Sequence, residues 1–296
     1  MTNDSPARSN SSRALSWTPS EREQARQKTR QKIARKKIGV ATASSVVVLG
    51  TLVIGLISSP GWQVVKETFF DWAYGREILH LVAKGLITNI TLTIVASIAI
   101  GIIALGLALA RTSRSAALTP FRLLATAYVD IFRGVPLLLV ILLVGFGVPA
   151  LRLTGVTNSV IVLGTIAVVI TYSAYVAEVI RSGILSIHPS QRAAARSLGL
   201  SQTQTMRYVV LPQAFKRVVP PLLNDLVALL KDTGLVSILG VTDAVRAAQI
   251  QGSRTFNYTP YVIAAILFLF ITIPLTRYTD RVLKRSIDKQ NAQGSA

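Results

Sequence analysis

The chain has 296 residues, of which 51% are hydrophobic and 15% charged, and it contains no cysteine. Soluble domains carry about 25% charged residues, so the composition leans toward the membrane, and the absence of thiols excludes disulfides, thiolate metal sites and cysteine nucleophiles. The net charge of +19 invites a nucleic-acid reading, but the positions of the charges along the chain argue against it.

Residues 1–37 hold ten Lys/Arg and three acids and are too polar to fold alone, so they read as a disordered basic tail, with a helical option at 20–37. The apolar run 38–58 is a full span, too long and too far from the start for a cleavable signal. An aromatic loop follows at 59–84, with Trp62, Phe69, Phe70, Trp72 and Tyr74 suited to the headgroup belt. Residues 38–84 are therefore one extra N-terminal helix and its external loop. Span 2 (87–110) carries Thr88, Thr91, Thr93 and Ser97 with Gly101 and Gly106, a composition that lets helices approach closely. Span 3 covers about 128–150, with Pro136 in its first turn and Asp130 and Arg133 as an interfacial pair at its start. A turn near Gly155-Val-Thr-Asn158 leads into span 4 (158–180). A polar segment, 181–213, precedes span 5 (214–237), which is weaker because it carries Asp225, Lys231 and Asp232. An external loop (238–258) and span 6 (259–280) complete an all-α membrane protein of six transmembrane helices, with a short tail at 284–296. A bilayer core about 30 Å thick takes roughly 20 helical residues, and soluble helices rarely run this long without charge.

Basic residues concentrate at every second connection. The 181–217 connection has six Lys/Arg and no acid, and 111–122 has Arg111, Arg114 and Arg122 without one. The 59–86 loop, by contrast, balances Lys66, Arg76 and Lys84 against Glu67, Asp71 and Glu77. This is the positive-inside pattern. It predicts a multi-pass protein of the cell membrane with both termini in the cytoplasm and no nucleic-acid partner.

The segment Pro189-Ser-Gln-Arg-Ala-Ala-Ala-Arg-Ser-Leu-Gly199 is the most informative stretch. Pro189 or Ser190 can open a short helix and Gly199 can close it. Ala194, Ala195 and Leu198 make one small-residue face, with Arg192 and Arg196 on the other. Ser201 can cap a second short helix to Val210, which Leu211-Pro212 would break. Such a segment fits two roles equally, a handle for a partner in the aqueous phase or an interfacial loop helix with none.

This segment resembles the "EAA" loop of binding-protein-dependent ABC transporter permeases. The match is Ala193-Ala194-Ala195, then Gly199, then Val209-x-Leu211-Pro212 at the same spacing. The flanks are similar to the polar amino-acid uptake subfamily: Gly85-Leu-Ile-Thr-Asn-Ile-Thr-Leu-Thr93, Tyr128-Val-Asp-Ile-Phe-Arg-Gly-Val-Pro-Leu-Leu138, Ala174-Tyr-Val-Ala-Glu-Val-Ile-Arg-Ser-Gly-Ile184, Leu229 to Gly240, and Arg246-Ala-Ala-Gln249. The resemblance covers about 85–283. It implies a five-helix type I importer permease core with a coupling loop at 188–212. Gln191, Ala193, Ala194, Ala195, Leu198, Gly199, Leu211 and Pro212 would then dock a cytoplasmic ATPase. It also implies an extracytoplasmic solute-binding protein, a second permease copy or paralogue, and a polar amino acid as the transported solute. The loop departs from the family pattern at one position, where Ala193 stands in place of the acidic residue.

Without a Walker-type Gly-x-x-x-x-Gly-Lys-Ser/Thr stretch, the chain has no phosphate cradle of that kind, so it reads as a non-catalytic subunit needing no cofactor. Intramembrane ionisable residues are costly and so are candidates for function. Asp225 and Asp232, with Asn224 and Lys231 similarly spaced, make two adjacent polar stripes on span 5. They can line the substrate pathway or bond between helices. Glu178 belongs either to that pathway or to an i,i+3 pair with Arg181. A self-contained secondary transporter or channel using Asp225, Asp232 and Glu178 as an ion relay is the rival reading.

Overall fold

The computed structural model describes residues 20–113 and 115–294, and every regular element among them is helical. The chain divides into two compact units, residues 1–63 and 64–296.

The first unit is dominated by α1 (Glu21–Ile57), about 55 Å long at 1.5 Å per residue. Ser20 caps it by accepting from the Glu23 amide at 3.4 Å, and Glu21 and Glu23 in the first turn complement the helix dipole. Residues 21–37 take the helical option within the expected tail, continuous with the first span. An apolar span already nucleates the helix, so extending it by each polar residue costs little. Residues 1–19 of the expected tail lie outside the described residues.

The second unit opens within α2 (Trp62–Phe69), at Val64, and continues into α3 (Trp72–Thr112). The stretch expected as an external loop is therefore mostly helix. At 41 residues, α3 is about 60 Å long, roughly twice the hydrocarbon core. Its two halves pack on different partners. Ile78, Val82 and Leu86 meet Ala244 and Ala248 of α11 (Ala244–Thr255) and Ile263 and Ala264 of α12 (Thr259–Gly294). Further along, Ala96, Ile100 and Ala104, spaced four apart, bring α7 (Val160–Leu185) close enough for Ala167, Tyr172 and Ala174 to complete the main core. The bend between α2 and α3 is pinned to the start of α12. The Tyr258 amide donates to the Thr68 carbonyl at 2.7 Å, the Asp71 amide to Thr259 Oγ1 at 3.1 Å, and Phe69 stacks on Tyr258.

Expected span 3 is broken. Helix α4 (Thr119–Gly134) stops at Val135, held extended (ψ 131°) by the following proline, and Pro136 opens α5 (Leu137–Leu142). A π turn at Leu143–Gly147 carries α5 into the short α6 (Val148–Ala150). The two halves meet at 104°. Asp130 and Arg133 sit on α4 rather than at the start of a straight span, and Arg133 approaches Glu178 at 3.9 Å rather than forming the expected ion pair with Asp130.

After α7 come α8 (Pro189–Ser197), α9 (Gln202–Gln204) and α10 (Leu211–Asp232). Pro212 does not break the chain as expected. The π turn Thr205–Val210 leads directly into α10, and Gln213 Nε2 donates to the Val209 carbonyl at 3.0 Å. The wider turn accommodates a residue without an N–H. The expected loop at 238–258 is largely helical, since a 3-10 turn (Thr233–Leu239) ends at Gly240 and α11 follows.

Among the described residues, four helices are long and apolar enough to span, five if the bent pair counts as one. Helix α10 is the sixth candidate and does not meet that criterion, because Lys216, Arg217, Asp225, Lys231 and Asp232 interrupt its apolar surface.

Candidate functional site

The polar segment between α7 and α10 folds as two capped turns. His188 accepts from the Ser190 amide at 3.2 Å and Pro189 occupies the first helical position of α8. Gly199 closes α8 with φ +83°, and the Leu200 amide reaches back to the Ala195 carbonyl at 3.2 Å, a Schellman-type stop that favours glycine. Ser201 then forms a capping box with Gln204.

The small-residue face expected at Ala194, Ala195 and Leu198 is split. Ala195 is buried at 4% exposure, whereas Ala194 is exposed and Leu198 is 81% exposed. Ala195 therefore anchors α8 to its own protein, and the outward surface consists of Gln191, Ala193, Ala194, Leu198 and Gly199. Pro212 is exposed and Leu211 half-buried. Beneath the segment, Ile184, Ile187, Val210 and Ala214 form a small buried core, with Leu109 of α3 against it. Helix α8 packs on the π turn Thr205–Val210 that opens α10 and bonds the end of α7 through Arg192, so a push on it bears on α7 and α10.

Close to this layer lies an ion cluster. Glu178 on α7 accepts from Arg111 at the end of α3 at 2.7 Å and from Arg181, one turn on, at 2.6 Å. One carboxylate thereby holds α3 to α7 and, through Arg133, lies near α4. The i,i+3 pair with Arg181 is one of the two sequence alternatives for Glu178; neither included Arg111, which is 67 residues away and invisible to local spacing.

Helices α3, α7 and α10 border a half-open apolar cavity of about 610 Å³ lined by Ser97, Ile100, Tyr172, Val176, Leu222 and Asp225 among others. Of the five expected pathway residues, Asp225 alone lines it. Its Oδ2 is buried and has no hydrogen-bond partner among the described residues, a costly arrangement for a carboxylate. Asp232, two turns on, accepts from the Tyr172 hydroxyl at 2.7 Å, and Tyr172 itself borders the cavity. Asn224 and Lys231 are exposed. The two stripes therefore face different surroundings.

A second buried polar network was not singled out from sequence. Asn89 Nδ2 donates to Asp243 Oδ2 at 3.0 Å and to Thr233 Oγ1 at 3.2 Å, while its Oδ1 accepts from the Ala244 amide at 3.1 Å. Asp243 also caps α11 through the Arg246 amide at 2.8 Å. Gly85, one turn before Asn89, allows the approach: a Cβ there would lie 2.5 Å from the backbone of Asp243 and Ala244. The Gly85–Thr93 stretch contained both residues, but nothing local pointed to a partner more than 150 positions on.

Residues 102–288 match the family model described as binding-protein-dependent transport system inner membrane component. The chain is 34% identical over 199 residues to the arginine transport system permease protein ArtQ of Bacillus subtilis (strain 168), covering 67% of this chain and 89% of that one. It is 37% identical over 192 residues to the probable glutamine ABC transporter permease protein GlnM of the same organism, covering 63% and 86%. Among solved structures, a crystal structure of an amino acid ABC transporter with histidines superposes with a TM-score of 0.67 at 35% identity, over 73% of this chain and 98% of that one. An inward-facing MetNI methionine ABC transporter shares the fold with a TM-score of 0.61 at 19% identity, over 71% and 98%. With that match over most of its length, and with a capped polar segment joining α7 to α10, the chain belongs to the family of binding-protein-dependent transport system inner membrane components.

Proposed function

We propose that this chain is the permease subunit of an ATP-driven importer of polar amino acids, with α8 as the coupling helix for a cytoplasmic ATPase. The observation that carries the coupling role is the seating of α8. Its outer surface is exposed while Ala195 is buried, the helix packs on the π turn Thr205–Val210 that opens α10, and Arg192 bonds the end of α7. ATP binding by the partner can drive transport only by favouring one state of the whole assembly. The docking surface comprises Gln191, Ala193, Ala194, Leu198 and Gly199, with Leu211 and Pro212 behind it and Ala195 serving as the internal anchor. The names of the relatives, which mention arginine and glutamine, support an amino-acid substrate.

In this reading the chain works with two ATPases, an extracytoplasmic binding protein and a second permease, and hydrolysis belongs to the ATPases. Six spans, α10 among them, place both termini in the cytoplasm. Residues 85–283 form the shared core, behind the extra helix and basic tail. Asp225 faces the pathway, Asp232 is held at its edge by Tyr172, and Asn224 and Lys231 face either the pathway or the partner permease. Glu178 serves the cluster with Arg111 and Arg181 rather than the solute.

The test is uptake into proteoliposomes holding this chain, its ATPase and its binding protein. ATP-dependent accumulation of a labelled polar amino acid is the expected result. Uptake that ignores ATP and follows a proton gradient would instead establish the secondary-transporter alternative.

A further inference from the structure

The C-terminal end of α7 is where the coupling helix joins the bundle, and it is stopped in an unusual way. Its last turn carries no basic residue and it has no closing glycine, Ser186 being in the right-handed region. The final carbonyls of a helix lack intrahelical donors and carry the negative end of the dipole. Here two arginines from other elements supply both donors and charge. Arg192 of α8 donates through Nη2 to the Ile184 carbonyl at 2.7 Å. Arg217 of α10 donates through Nη1 to the Ser186 carbonyl at 2.6 Å and to Ser186 Oγ at 3.1 Å. The Arg192 Nε is buried without an acceptor among the described residues, so this guanidinium is turned inward rather than offered to solvent.

We infer that Arg192 and Arg217 are positioning residues that clamp the end of α7 from both sides and set the angle at which α8 transmits force. The inference rests on the coupling role of α8. Apolar packing of α8 on the π turn Thr205–Val210 fixes how closely α8 sits but, being non-directional, does not fix its rotation. The directional bond from Arg192 to the Ile184 carbonyl does, and Arg217 holds the same helix end from α10. One of them comes from the helix that receives the partner and the other from a helix lining the cavity, so displacement of α8 is passed to α10 across the end of α7. Arginine suits the task because its planar, permanently charged fork keeps a fixed geometry that a lysine ammonium does not.

The test uses the assembled transporter in proteoliposomes, with solute uptake and ATP hydrolysis measured on the same preparation. Arg192→Ala is expected to keep the ATPase subunit bound but to lower the solute moved per ATP about tenfold, the size of an ordinary coupling term. Arg192→Lys should recover part of the loss, and Arg217→Gln should behave like Arg192→Ala. A readout independent of transport comes from spin labels on Ser182→Cys and Ser197→Cys, two exposed serines in a chain with no native cysteine. The label-to-label distance distribution in the isolated permease should broaden in Arg192→Ala. Unchanged stoichiometry with an unchanged distribution overturns the clamp. If the ATPase never binds the wild-type chain, the coupling reading fails, and the label distribution then decides the clamp alone. Should Arg192→Ala not fold, Arg217→Gln, at an exposed side chain, carries both measurements.

Discussion

Asn89 of α3 holds Asp243 at 3.0 Å across a site with no solvent exposure at either residue. The carboxamide meets the carboxylate and the Ala244 amide at once, fastening α11 to the long third helix. Replacing Asn89 by Ala leaves a buried carboxylate and a buried amide without this partner. Losses of this kind run to about 2–3 kcal/mol. Thermal unfolding of the detergent-solubilised chain should fall by roughly 5–10 °C, and Asn89→Asp, which sets two carboxylates together, should fall further.

Gly85 and Gly106 lie on the same helix and respond oppositely to a methyl group. Gly85→Ala drives a Cβ into backbone at 2.5 Å, which cannot yield as a side chain would, so α11 must move away from α3. Gly106 has nothing within 4 Å of the added Cβ. Gly106→Ala should therefore be neutral or stabilising by about 0.5–1 kcal/mol through helix propensity. The melting temperatures of the two variants should lie on opposite sides of the wild type or, at the least, differ by several degrees.

The ion cluster on Glu178 should divide unequally among its arginines. Arg111 is 2.7 Å away and 10% exposed, whereas Arg133 is 3.9 Å away and 42% exposed. Double-mutant cycles pairing Glu178→Gln with Arg111→Met and with Arg133→Met should give a coupling above about 1 kcal/mol for the first and below about 0.5 kcal/mol for the second. Equal couplings would mean that the cluster acts as diffuse charge rather than as the joint between α3 and α7.

At Gly199 the strain is conformational, not steric. Its φ of +83° suits glycine or asparagine, and no atom lies within 4 Å of an added Cβ. Gly199→Ala should cost about 1 kcal/mol and Gly199→Asn less. Gly199→Glu should keep the helical circular dichroism of the wild type while abolishing ATPase co-purification, and full coupled uptake in that variant would count against docking through α8.

Hydropathy made the apolar helices legible because it reports partition into lipid, and lipid is indifferent to which neighbour a face meets. That indifference is also where the sequence reading stopped. It could not tell that Ala195 turns inward while Ala194 turns outward, since both are small and the difference lies in the packing of α8 on the π turn Thr205–Val210. The helix stop at Gly199 and the cap at Ser201 were readable because capping is a contact between residues a few positions apart. Arg111–Glu178 and Asn89–Asp243 were not, because their partners stand 67 and 154 positions apart. Pro212 misled for a different reason. A proline signals a lost N–H, but the π turn before it alters which carbonyls need donors, and helix continues into α10. The Gly134-Val-Pro136 break was visible as residues, yet reading the proline as the first turn of one span concealed that the chain turns by 104° there.

The length of α3 has a mechanical meaning. A hydrogen-bonded helix of 41 residues cannot shorten appreciably, so it behaves as an oar through the bilayer, with Trp72 at one end and Arg111 near the other. Over about 60 Å, a tilt of roughly 5° sweeps the far tip through about 5 Å, close to one helical pitch. The aromatic elbow holding Thr68 against Tyr258 and the guanidinium joint at Glu178 are then two oarlocks on a single shaft, and whatever loosens one alters the stroke available at the other.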